Sequence, residues 1–131
     1  MVSDTIGDFI IRLKNAGAVK KETVSAPYSK LRHAIADKLQ KAGYVETVAV
    51  VGEGIKKELV VTLKYTDTGA HAIHGVKRTS KPGRRMYKKV SDIHAVKFGT
   101  GDAIFSTPAG ILTGGEARKQ NVGGEELFII W

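Results

Sequence analysis

Seven basic residues fall between Lys77 and Lys89 (Lys77, Arg78, Lys81, Arg84, Arg85, Lys88 and Lys89), with no acidic residue among them and with Pro82-Gly83 and Tyr87 in their midst. The chemistry open to such a run is the grip of a polyanion. Lysine and arginine neutralise phosphates and release condensed counterions, a Pro-Gly turn keeps the charges together, and one aromatic ring offers a base a face to stack on. The combination points to RNA, with Lys81, Arg84, Arg85 and Tyr87 as its contacts. A basic loop that serves only solubility is the alternative this stretch leaves open.

Other chemistry is poorly provided for. Ser106 and Thr107 lack a Gly-x-Ser-x-Gly elbow, and no motif links a histidine or aspartate to them, so no catalytic residue is expected. Gly99-Thr100-Gly101-Asp102 lacks the Gly-Lys-Ser/Thr ending of a phosphate-cradling loop, which argues against a nucleotide cofactor. His33, His71, His74 and His94 are scattered and the chain has no cysteine, so neither a metal site nor a disulfide is expected. Ser106-Thr107-Pro108-Ala109-Gly110 suits another role. Small hydroxyl residues ending an apolar strand can donate to phosphate, sugar or base-edge oxygens while letting nucleic acid approach the backbone. An ordinary strand-ending turn fits the same residues equally well.

The charge balance agrees with a polyanionic partner. The 131 residues carry 21 Lys and Arg against 13 Asp and Glu, a formal net charge of +8. Residues 1–66 hold 11 basic and 7 acidic groups and residues 67–131 hold 10 and 6, so the excess is shared and neither half is a detachable tail. The length suits one compact domain or two small ones. The opening Met1-Val2-Ser3-Asp4-Thr5 lacks a basic segment followed by an apolar run, and no stretch reaches the ~18 apolar residues of a membrane span, so a cytosolic location is expected.

The elements that must position these residues follow from periodicity. Ser3 is a candidate cap for a helix that buries Ile6, Phe9, Ile10 and Leu13, with Gly17 as its stop and Arg12 and Asn15 off the apolar stripe. Lys21 to Pro27 reads as an edge strand. Ser29 then caps a second helix whose stripe is Leu31, Ile35, Leu39 and Ala42 and whose end is Gly43. Tyr44 to Val51 and Glu58 to Tyr65 form a hairpin. Thr66 to Gly69 is the expected boundary, giving a 1–66 subdomain of order α-β-α-β-β.

In the second subdomain, 67–131, Ala72 to Arg78 and Arg84 to Val90 read as strands paired across Pro82-Gly83. Ser91 to Phe98 has room for one helical turn, and Ala103 to Thr107 is an apolar strand. Thr113 and Glu116 fit a capping box, which predicts a short helix over Gly114 to Gln120. Gly123-Gly124 then turns the chain into a buried strand, Glu125 to Trp131. The fold class expected is α+β, with a mostly β second half holding one short helix.

Ser106-Thr107-Pro108-Ala109-Gly110, Thr113-x-x-Glu116-Ala117-Arg118 and Gly123-Gly124-Glu125 before a hydrophobic end resemble the C-terminal signature of the bacterial-type family of small-ribosomal-subunit protein eight. The likeness extends to Ser3-Asp4-Thr5-Ile6 through Arg12-Leu13-Lys14-Asn15, Pro27-Tyr28-Ser29-Lys30-Leu31, Gly43-Tyr44 and Ser80-Lys81-Pro82-Gly83-Arg84-Arg85-Met86-Tyr87. It thus covers nearly the whole chain in order.

The resemblance implies a non-enzymatic, two-subdomain α+β protein that binds the central domain of small-subunit ribosomal RNA, supports subunit assembly and touches neighbouring ribosomal proteins. It also implies that Ser106 and Thr107 reach the RNA and that Gly123-Gly124-Glu125 shapes the site, with Pro108 and Gly110 in the adjoining turn. Tyr87 supplies a stacking or packing face, and Arg12, Asn15, Ser29 and Lys30 match positions near the RNA backbone on a second surface. Family members often repress translation of their own messenger RNA.

Two positions depart from the family's pattern. Pro108 stands where a serine is common, and Gly114-Gly115 replaces a commonly charged pair. The rival readings are an RNA-processing enzyme using His94 and Glu125 as acid and base, and a non-ribosomal, sequence-indifferent RNA binder.

Overall fold

The computed structural model describes residues 5–94 and 101–131. Two compact units emerge: Asp8–His74, and Gly75–Trp131 together with the chain up to Gly7. The Thr66–Gly69 connector is a tight turn inside the first unit, closed by the Thr66 hydroxyl accepting from the Ala70 N–H at 3.1 Å.

The first unit runs α1 (Thr5–Ala18) from Asp8 onward, β1 (Thr23–Pro27), α2 (Lys30–Lys41), β2 (Val45–Val51) and β3 (Glu58–Leu63). Its antiparallel sheet has the order β1-β3-β2. Val24 and Ala26 of β1 and Leu59, Val61 and Leu63 of β3 are buried while their neighbours alternate outward, the period-two signature of a sheet with one covered face. α2 packs on β2 and β3 through Ile35, Ala36 and Leu39. Leu31 in its first turn and Ala42 at its C-cap were expected in that stripe and instead stay exposed at the helix ends.

Each helix ends in the same geometry. Gly43 takes φ +90°, with the Tyr44 N–H bonded to Leu39 O and the Gly43 N–H to Gln40 O, a Schellman closure on the expected glycine. α1 closes identically on Lys20 (φ 57°), with Lys21 N–H on Ala16 O and Lys20 N–H on Gly17 O. Gly17, the expected stop, is thus helical. The expected cap Ser3 lies outside the described residues.

Gly17 is small for a different reason. A Cβ there would stand 1.9 Å from the ring of His71, so the missing side chain is the slot that holds the imidazole. The ring also meets Tyr65, centroid to centroid at 5.4 Å, and neither ring nitrogen has a hydrogen bond of normal geometry among the described residues. Burial holds the His71 pKa below the usual histidine value; nearby His74 acts in the same sense, and backbone groups of Lys64 and Leu13 partly oppose. The unfolded chain therefore takes up this proton first as pH falls below about 6.5, so His71 contributes stability at neutral pH that drains away on acidification. NMR titration of the imidazole should give a midpoint below about 6.5; a midpoint at or above it would mean the slot does not exclude the charged ring.

The second unit contains β4 (Val76–Arg78), β5 (Tyr87–Lys88), β6 (Asp102–Thr107), β7 (Gly110–Thr113), α3 (Gly114–Lys119) and β8 (Gly124–Ile130). Val90–Asp92 supplies one 3-10 turn, and residues 95–100 of the ambiguous Ser91 to Phe98 stretch lie outside the described residues. The sheet order is β4-β8-β6-β7, with β5 also on β8. Phe105, Leu112, Ala117, Ala103 and Ile93 form its core beneath α3. The capping box is complete: Thr113 Oγ1 accepts from the Glu116 N–H at 3.2 Å and a Glu116 carboxylate oxygen accepts from the Thr113 N–H at 3.0 Å. α3 closes in a third Schellman motif, on Asn121 at φ 55°.

The basic run is not the expected hairpin of two mutually paired strands. β4 pairs with Phe128 to Ile130 and β5 with Gly124 and Glu125, so both lie end to end along one edge of β8. Only Lys81 and Arg84 pair with each other, across Pro82-Gly83. Pairing the arms together would have left the N–H and C=O groups of a buried strand unmatched, a cost that exceeds what a free hairpin gains. β7 is a strand that periodicity missed, because its four residues, between the Pro108 turn and the Thr113 cap, are too short a run to show alternation.

Candidate nucleic-acid interface

Three of the predicted contacts come together through strand register. Ser106 on β6 stands opposite Glu125 on β8, and Glu125 stands opposite Tyr87 on β5. Cross-strand partners share a face, so Tyr87, Glu125 and Ser106 form one row across three strands, about 10 Å from end to end at ~4.8 Å per strand. Ile111 on β7 extends the row on the far side of Ser106. Tyr87 is 72% exposed, which places its ring on the surface and not in the core. The Ser106 hydroxyl is bonded to no other group among the described residues.

Thr107 differs from its neighbour. Its hydroxyl donates to Gly110 O at 2.8 Å and accepts from the Ala109 N–H at 3.1 Å, so it is spent on the β6–β7 turn. Pro108 occupies the first loop position, where its fixed φ is favourable, and Gly110 follows at φ 112° to close the turn. The departure at Pro108 thus has a local rationale. The exposed Pro108-Ala109 tip presents backbone and little side chain.

Gly123 and Gly124 are held between the two sides of the site. A Cβ on Gly124 would lie 2.3 Å from Ser106 O and 3.0 Å from Thr107 Cγ2, and one on Gly123 would lie 2.5 Å from Lys88 O. Neither has a positive φ, so their role is close approach; the chain reversal before β8 is made by Asn121. Glu125 follows with its side chain 17% exposed and its carboxylate 3.3 Å from the Arg85 guanidinium. Glu126, on the other face, is 3.0 Å from Lys88 Nζ. Of the cationic run, Arg85 and Lys88 are thereby tied to β8. Lys77, Arg78, Lys81 and Arg84 line a cleft of about 340 Å³ alongside it. The Arg85–Glu125 pair could not be read from the sequence, since 40 residues separate its members.

The first unit holds the second set. Arg12 and Asn15 line a groove of about 580 Å³ beside β1, together with Lys21, which sequence reasoning missed. The Arg12 guanidinium donates to Ser25 O at 3.0 Å and lies 3.9 Å from Asp8. Ser29 is the N-cap of α2, its hydroxyl accepting from the Arg32 N–H at 3.1 Å, and Lys30 opens that helix in an exposed position. Arg32 in turn donates to Pro27 O at 2.8 Å. Arg12 and Arg32 therefore cover successive carbonyls along the outer edge of β1, while the Ser29 hydroxyl is committed to its cap.

No helix among the described residues is long and apolar enough to cross a membrane. Comparison with known proteins completes the picture. The profile of the family described as Ribosomal protein S8 matches residues 4–131. Small ribosomal subunit protein uS8 of Rubrobacter xylanophilus is 46% identical over 130 residues, covering 99% of this chain and 98% of its own length. The protein of the same name from Rippkaea orientalis is also 46% identical, and that of Mycoplasmopsis pulmonis is 44% identical over 131 residues, the whole of this chain and 98% of its own. With nearly every residue aligned and the α+β architecture in place, this chain belongs to the ribosomal protein S8 family.

Proposed function

We propose that the protein is a structural, non-catalytic component of the small ribosomal subunit in the cytoplasm. It binds the central domain of the subunit's RNA and thereby supports assembly alongside neighbouring proteins. The observation that carries this reading is the Tyr87–Glu125–Ser106 row, which sets an exposed ring and a hydroxyl unbonded among the described residues on one face of the sheet, while Lys77, Arg78, Lys81 and Arg84 line a cleft with Glu126 along the same stretch of chain. Lysines and arginines hold phosphates without regard to sequence. Selectivity comes from the row and the Pro108–Gly110 tip, which fit a distorted minor groove with unpaired bases, because the deep major groove of regular A-form RNA excludes side chains. Gly110 leaves open space at the tip for RNA, and Gly123 and Gly124 let the strands of the site approach one another. Arg12, Asn15 and Lys30 form a second, weaker grip, and Ser29 acts by shaping the helix start. The same site would accept a messenger RNA that copies the ribosomal fold, which is the route to translational self-repression.

Competition tests the proposal. A labelled central-domain fragment bound to the protein should be displaced by unlabelled fragment at concentrations far below those needed of bulk transfer RNA. Equal displacement by the two would reduce the protein to a general RNA binder.

A further inference from the structure

The cationic loop has to be held somewhere, and one side chain holds it. Ser80 is fully buried, and it and Glu126 are the two buried polar residues among those described. They meet at the neck of the loop. Ser80 Oγ accepts from the Met86 N–H at 2.7 Å and lies 3.3 Å from Met86 O, which ties the two ends of the segment together. The Ser80 N–H donates to Glu126 O at 3.1 Å, and the Glu126 N–H donates to Met86 O at 2.9 Å. Both ends of the neck are thus fastened to one residue of β8, Glu126. That residue sits where the β6–β8 register slips, between the Ile104–Phe128 and Phe105–Glu126 pairs, so the knot rests on a bulge.

Resting on the RNA-binding reading above, we infer that Ser80 is the positioning residue of this interface. Its hydroxyl fixes the five-residue loop Lys81–Arg85, and with it the placement of Arg85 against Glu125 and of Tyr87 in its row. Without the hydroxyl, Met86 would keep a buried N–H with no acceptor, and the neck would open to let water in. The loop would keep all its charges and lose their arrangement. Phosphate attraction depends on charge and survives such loosening, whereas readout of a particular RNA shape does not.

The test is Ser80→Ala in the full chain, with a central-domain rRNA fragment and bulk transfer RNA as probes and thermal unfolding as a check on folding. Affinity for the fragment should fall about tenfold, the cost of one buried donor left unmatched. Affinity for transfer RNA and the slope of log K against log salt should stay unchanged, and the Met86 amide should lose protection from hydrogen exchange. A purely stabilising serine would lower the melting temperature and leave the ratio of the two affinities intact, which overturns the inference. If the alanine variant does not fold, Ser80→Cys replaces it, matching the shape with a weak acceptor and with the same outcomes expected. A wild-type protein that shows no preference for the fragment would sink the RNA reading and this inference together; a preference undiminished in the variant would sink this inference alone.

Discussion

Replacing Gly124 with alanine should destabilise the protein by about 1–3 kcal/mol or more, and should weaken binding to the central-domain RNA beyond what that loss of stability explains. The new methyl would meet Ser106 O at 2.3 Å, a backbone atom of a paired strand that has no flexible tip to swing away. Relief requires β6 and β8 to part at their Ser106–Glu125 rung, which is the rung that places both side chains in the proposed recognition row. Gly115 supplies the control. It lies in the first turn of α3, where the nearest atom to a Cβ is Thr113 Oγ1 at 4.0 Å, so Gly115→Ala should gain up to about 1 kcal/mol from helix propensity alone. Denaturant unfolding of the two variants checks the pair; equal behaviour would mean that close approach at Gly124 is not what fixes the site.

Tyr87→Ala separates recognition from folding most cleanly. The ring is 72% exposed, so its removal should leave the unfolding midpoint within experimental scatter. Loss of a base stacked on it should cost about 1–3 kcal/mol of RNA affinity, roughly 5- to 150-fold in Kd at 1.4 kcal/mol per tenfold. Filter binding at fixed salt measures this directly. Wild-type affinity in the variant would remove Tyr87 from the interface and leave the row to Ser106 and Glu125.

Much of this was legible along the chain because its signals are local. The Thr113–Glu116 capping box, the apolar stripe of α1 and the Gly43 closure of α2 each depend on residues within one or two turns of each other. Locality also explains the misses. α1 and α3 end on Lys20 and Asn121, in the same motif that Gly43 uses, because a closure held by two backbone hydrogen bonds tolerates the small strain of a side chain at positive φ. Gly17 resembled a helix stop until His71, more than fifty positions away, was seen to need its space.

Charge, turn chemistry and the hydroxyl-rich Ser106–Gly110 segment were enough to nominate the residue types of the proposed RNA-binding surface, since those properties belong to side chains whatever the fold. Which of them share a face was decided only in three dimensions. The Tyr87–Glu125–Ser106 row, the Arg85–Glu125 pair and the Ser80 knot exist because β8 recruits short strands from both sides to satisfy its backbone. Pairing of that kind joins residues remote in sequence, and its register depends on the whole sheet, so no window of sequence contains it.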